Sequence, residues 1–136
     1  MSKLRLTLRP PRRSQDKWGS GAFGAPRGDH MHQGIDFESP KGFILESPIA
    51  GKITKLGYPY ADDLSFRYIE LTSGDDYKHR FFYLVPSVSL GDSVLEGDVL
   101  GAVDFLGFRY PDITNHFHYE IKSPMNSTID PDEYWK

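Results

Sequence analysis

The chain has 136 residues, with 16 Lys and Arg against 19 Asp and Glu, for a formal net charge of −3. This length fits one domain with its own core, and 38% hydrophobic with 26% charged residues excludes a disordered chain. The absence of cysteine excludes disulfides and thiolate metal sites, so any metal must sit on His, Asp or Glu.

Basic charge gathers at the start, where Lys3, Arg5, Arg9, Arg12, Arg13 and Lys17 face only Asp16. K-L-R-L-T-L-R (3–9) alternates strictly and predicts an edge strand with charged outward positions, ended by Pro10-Pro11. Residues 1–17 therefore read as a basic arm or edge strand, and 18–136 as one domain. The arm reads as solvated, and no nucleic-acid partner is expected. No apolar run has the length of a membrane span. Basic residues interrupt Leu4, Leu6 and Leu8, so no signal-peptide core is visible.

Thirteen glycines and ten prolines leave little room for long helices. Residues 12–34, rich in Gly, Pro, Arg, Asp and Ser, predict a long irregular loop, and such loops often carry function. Strands are predicted over 43–46, 49–56, 66–72, 79–85, 99–105 and 115–122. Ser39-Pro40, Gly57-Tyr58-Pro59, Ser73-Gly74-Asp75, Gly91-Asp92, Gly97-Asp98 and Tyr110-Pro111-Asp112 separate them. One helical turn is predicted near 131–135, with Asp130 as its cap and Pro131 at its first position. The expected fold is mostly β: antiparallel sheets in a sandwich or barrel-like arrangement.

Two short motifs carry the chemistry. In N-H-F-H-Y-E-I (115–121), His116 and His118 are two residues apart on a strand and so share a face. In H-Q-G-I-D (32–36), Gly28 and Gly34 favour a loop over a helical turn, with Gly34 letting the backbone fold tightly enough for His32 and Asp36 to reach one ion. Together they offer His32, Asp36 and one or both histidines of the pair. Three protein ligands with an open fourth position is the layout of a catalytic zinc site. A histidine of the pair that does not bind the ion stands beside it, placed to act as general base. His30 is an alternative to His32.

The sequence resembles the LytM/lysostaphin-type zinc endopeptidases, peptidase family M23, which cleave peptide bonds in bacterial peptidoglycan. The resemblance rests on G-A-F-G-A-P-R-G-D-H-M-H-Q-G-I-D-F (21–37), S-P-I-A-G-K-I (47–53), V-S-L-G-D-S-V-L-E-G-D-V-L-G (88–101), N-H-F-H-Y-E-I (115–121) and I-D-P (129–131). It implies His32, Asp36 and His118 as ligands of one zinc ion per chain and His116 as the catalytic histidine. It also implies a LytM-like, mostly antiparallel β domain with the site in a groove. One position departs: F-F-Y-L (81–84) puts Tyr83 where the family has a further histidine. A tyrosine hydroxyl donates to an oxyanion but is a poor base. His79 shares the face of Tyr83 on a regular strand and reaches the site only if a bulge shifts the register.

The expectation is a zinc metalloendopeptidase that hydrolyses peptidoglycan peptides, with Tyr83 as oxyanion donor. The alternative is a catalytically impaired LytM-like module that binds peptidoglycan or a partner protein. Without a visible signal peptide, a phage-encoded lysin or a virion-associated enzyme acting at the bacterial cell wall is expected. Tyr58, Tyr60, Phe66, Phe108 and Tyr110 read first as core or rim aromatics, and those in the loops around 57–64 and 106–114 are also placed to wall a substrate groove.

Overall fold

A computed structural model describes residues 13, 16, 19–27 and 30–135, with backbone alone for 26–27 and 30–31. The strand predicted at 3–9 lies outside the described residues. Twelve strands and one helical turn follow in chain order: β1 (Pro26–Arg27), β2 (His30–Met31), β3 (Ile35–Glu38), β4 (Ile44–Glu46), β5 (Gly51–Gly57), β6 (Tyr68–Ser73), β7 (Lys78–Phe82), β8 (Leu84–Pro86), β9 (Ser93–Val94), β10 (Val99–Val103), β11 (His116–Lys122), β12 (Thr128–Ile129) and α1 (Pro131–Tyr134). Asp130 caps α1 by accepting the Asp132 N–H, as its sequence predicts.

The main sheet runs β12-β11-β7-β6-β5-β9, with β3 also paired to β11. A second sheet has the order β4-β10-β8, and β1 and β2 form a small hairpin. All the pairings are antiparallel. The described sheets are open, so the sandwich half of the expectation holds and the barrel half does not. One apolar cluster draws Leu45, Leu84, Leu100 and Val103 from the smaller sheet and Ile35, Ile69, Phe81, Phe117 and Tyr119 from the larger. Among the described residues, no helix is long and apolar enough to cross a membrane.

Two differences from the predicted elements matter for function. The H-Q-G-I-D segment is not wholly loop, because Asp36 sits on β3 opposite His118 of β11. Gly34 is needed there for close approach rather than for a tight turn. A Cβ on it would stand 2.4 Å from the Tyr119 carbonyl oxygen and 2.8 Å from the His118 ring. The strand predicted over 79–85 breaks at Tyr83, whose φ of 73° is left-handed. Its backbone N–H donates to the Arg67 carbonyl at 2.9 Å, and its carbonyl accepts the Asp104 N–H at 2.8 Å.

Candidate metal centre

Alternation along β11 sends Phe117, Tyr119 and Ile121 into the core and leaves His116, His118 and Glu120 on the other face. Pairing with β3 sets Asp36 directly across from His118. His32, at the end of β2, completes a group with Asp36 and His118 that could hold one metal ion. Separate strands and a loop thus bring together the three residues that the sequence singled out.

Their protons can be assigned from their outer partners. The His32 Nδ1–H donates to the Ala22 carbonyl at 3.0 Å, which leaves Nε2 with a lone pair. The His118 Nε2–H donates to Glu120 Oε1 at 2.9 Å, so the neutral ring, the form that ligates a metal, has its lone pair on Nδ1. These two nitrogens lie 2.9 Å apart, and Asp36 Oδ1 lies 2.9 Å from His118 Nδ1 and 3.2 Å from His32 Nε2. Three acceptors so close repel one another unless positive charge sits among them. A tetrahedral zinc ion with bonds of about 2.0–2.1 Å separates its ligands by roughly 3.3 Å, so the donor set fits zinc in type and needs to spread by only a few tenths of an ångström to fit it in spacing.

The surroundings favour positive charge here. Burial alone would depress the His118 imidazole, but hydrogen bonds from both ring nitrogens, to Asp36 and Glu120, overcome it and push it up to about 9, so near pH 7 a proton on Nδ1 supplies the positive charge that a bound cation would otherwise supply. Burial likewise works against ionising Asp36, yet the hydrogen bond from His118 and the charge of that ring hold its carboxyl well below the usual range. The second Asp36 oxygen accepts from Arg13 Nη1 at 2.8 Å. Glu120 Oε2 lies 3.6 Å from Arg80 Nη1, and Arg80 Nε donates to Glu70 at 2.9 Å.

His116 sits beside the group and takes a different state. Its Nδ1–H donates to the Thr114 carbonyl at 2.7 Å, so Nε2 carries the lone pair, 3.4 Å from Asp36 Oδ2. Burial keeps this imidazole below its ordinary value, despite the pull of Asp36 and of the Thr114 carbonyl. It is neutral near pH 7 and able to accept a proton. Tyr83 meets it edge-on, with ring centroids 5.6 Å apart. The left-handed backbone makes this contact, because strict alternation would have put Tyr83 on the core face with Phe81. His79 stays on that core face in unbroken register with Leu71 and Ile121, so the bulge that could bring it to the site is absent.

All four residues open on a cavity of about 340 Å³, walled on its other side by Pro59, Tyr60, Tyr83, Tyr110 and Ile113. The loop aromatics Tyr60 and Tyr110 therefore do line a groove. Three participants were not foreseen. Glu120 carried a signal, since H-F-H-Y-E sets it two residues after His118 on the same face. Arg13 and Asp16 carried none. They belong to the segment read as a solvated arm, yet Arg13 is 5% exposed and grips Asp36. Asp16 pairs with Arg13 at 2.7 Å and accepts the Thr114 N–H at 2.9 Å, steadying the carbonyl that orients His116.

Comparison with known proteins gives the setting. The model of peptidase family M23 matches residues 30–131. Leukocyte cell-derived chemotaxin-2 from Bos taurus is 31% identical over 117 residues, which are 86% of this chain and 77% of that protein. The catalytic domain of the antimicrobial peptidase lysostaphin from Staphylococcus simulans matches with a TM-score of 0.68 at 25% identity, over 86% of this chain and 90% of that one. A substituted catalytic domain of the prophage-encoded M23 protein EnpA from Enterococcus faecalis matches with a TM-score of 0.73 at 18% identity, over 98% of each chain. This last likeness speaks for the fold alone. The span matched to the family leaves out Arg13 and Asp16.

Proposed function

The chain belongs to peptidase family M23, and on that premise we propose that it is a zinc-dependent endopeptidase that hydrolyses peptide bonds in bacterial peptidoglycan, in cross-links or stem peptides. One observation carries the reading: three inward-facing acceptors of zinc-ligand type converge beside a neutral, buried histidine. His32 Nε2, Asp36 Oδ1 and His118 Nδ1 would hold the ion, which when bound would polarise a peptide carbonyl and make a water molecule acidic enough to attack near neutral pH. His116 Nε2 takes the proton from that water and delivers it to the leaving amine. Thr114 keeps the proton of His116 on Nδ1, so Nε2 stays available. The Tyr83 hydroxyl donates to the oxygen that gains negative charge.

The likeness to lysostaphin supports a cell-wall target, and release by lysis or carriage on a phage particle is the proposed route to it. A second reading draws on Tyr83 in place of the family's histidine and on relatives named as chemotaxins. In that reading the chain binds peptidoglycan or a partner protein without cutting. The test compares wild type with His118→Ala in a cell-wall clearing assay with added zinc. Clearing by the wild type alone is expected, and equal clearing by both overturns the mechanism. Stoichiometric zinc with no hydrolysis of any muropeptide favours the binding module. In that case a large gain on Tyr83→His locates the fault at Tyr83.

A further inference from the structure

The cavity wall opposite the metal ligands holds three tyrosine hydroxyls in a row. The Tyr60 hydroxyl lies 2.8 Å from that of Tyr83 and 2.6 Å from that of Tyr110. At the far end, Arg109 Nε donates to the Tyr110 oxygen at 3.3 Å. The same guanidinium stacks 3.7 Å from the centroid of the Tyr60 ring. Asp62 and Asp63 fix it from the side, at 3.4 and 3.8 Å. Two loops, 58–67 and 104–115, are joined by these contacts.

Each hydroxyl has one proton and two lone pairs; if Tyr60 accepted from both neighbours, its own proton would have no acceptor among the described residues, so the row runs in one direction. Arg109 decides which. A guanidinium only donates, and protons running toward it would set O–H dipoles against a fixed positive charge. Running away from it, Tyr110 donates to Tyr60 and Tyr60 donates to Tyr83. Hydrogen bonds that point the same way polarise one another. Tyr83 then accepts on one side, and its own proton is left for the cavity, where its ring meets His116. Burial pushes the Tyr83 phenol up, so it keeps that proton at any working pH.

We infer that Arg109, Tyr110 and Tyr60 form a one-way hydrogen-bond chain that aims the Tyr83 hydroxyl proton into the cavity. Tyr60 is thus a positioning residue for the oxyanion donor. The inference rests on the reading of Tyr83 as that donor, and it explains how a tyrosine serves where the family has a histidine. The chain occupies residues that neither zinc motif contains.

Tyr60→Phe is the discriminating variant, because it keeps the ring under Arg109 and removes one hydroxyl. With a peptidoglycan peptide, Tyr83→Phe lowers kcat by about 100-fold, the size of one lost oxyanion donor. Tyr60→Phe lowers it by about tenfold, with KM and Tm unchanged, and adds nothing in the double variant. Tyr58→Phe, on the exposed side of the loop, leaves kcat as it was. A wild-type rate for Tyr83→Phe overturns the role of Tyr83 itself. A slow Tyr83→Phe beside a wild-type rate for Tyr60→Phe overturns the chain alone. Neutron diffraction from crystals exchanged into D2O reads the direction without any turnover. Deuterons on Tyr110 toward Tyr60 and on Tyr60 toward Tyr83 support the chain, and the reverse order overturns it.

Discussion

Buried histidines lie on both faces of the main sheet, only one strand apart, and their surroundings make them opposites. On one face, His118 contacts two carboxylates, Asp36 and Glu120, each at 2.9 Å, and is pushed up to about 9. On the other face, no carboxylate among the described residues is hydrogen-bonded to the His79 ring, and Asp75 acts on it only through its charge. Its Nδ1 accepts from the Tyr119 hydroxyl at 2.8 Å, and its Nε2–H donates to Ser73 Oγ at 3.0 Å. Trp135 Nε1–H donates to Tyr119 at 2.9 Å, and Ser73 passes its proton bond to Asp75. Every member of this second network is satisfied with His79 neutral, and burial pushes that ring down to about 4. Burial is common to both faces. The nearby carboxylates and the open cavity suit one cluster to a cation, while the aromatic lid of Tyr134 and Trp135 makes the other a piece of core.

The largest break in this contrast comes from His118→Ala. Removing a ligand costs more zinc affinity than the roughly 10–100-fold expected for an outer partner. Competition with a chelator is expected to show binding reduced beyond 100-fold, with the fold intact by circular dichroism. His79→Leu is the mirror experiment. It is expected to lower unfolding free energy by about 1–3 kcal/mol, because Tyr119 and Ser73 lose a buried partner. Zinc affinity stays within about twofold of wild type, since His79 touches no ligand. A tenfold loss of zinc affinity in His79→Leu would mean that the two faces are coupled through β11.

Glu120→Gln sharpens the contrast at smaller cost. Glutamine keeps an oxygen for the His118 Nε2–H but removes the negative charge. Zinc affinity is expected to fall about tenfold, the lower end for an outer partner of a ligating histidine. Isothermal titration calorimetry measures it, and an unchanged constant would show that hydrogen bonding alone, without charge, orients His118.

The two faces also differ in how far the sequence discloses them. Alternation in β11 and the H-x-x-x-D and H-x-H spacings were enough to name His32, Asp36, His116 and His118, because period two and motif spacing are local properties. The core role of His79 was not legible, since its strand runs on in sequence straight into Tyr83. The φ of 73° that turns Tyr83 away from the core is set by Arg67 and Asp104, residues 16 and 21 positions away. Arg13 was illegible for the same reason, because its partner Asp36 lies 23 residues along the chain. The tyrosine row needs two loops to meet, and no pattern within either loop announces it.

The last effect is the pH dependence of stability that His79 contributes from the core face. The His79 pKa is depressed to about 4 in the folded chain, against an ordinary value near 6.5 once unfolded. Between these values the unfolded chain binds the proton and the folded chain refuses it. Stability therefore falls as pH drops below about 6.5, by at most about 1.4 kcal/mol per pH unit, and this contribution stops growing near pH 4. His79→Leu starts less stable but carries no such group. Its denaturation midpoints, compared with wild type from pH 7 to pH 4, are expected to show the shallower slope. Parallel slopes would assign the acid sensitivity to the carboxylates of the other face, which lose their charge in the same direction as pH falls.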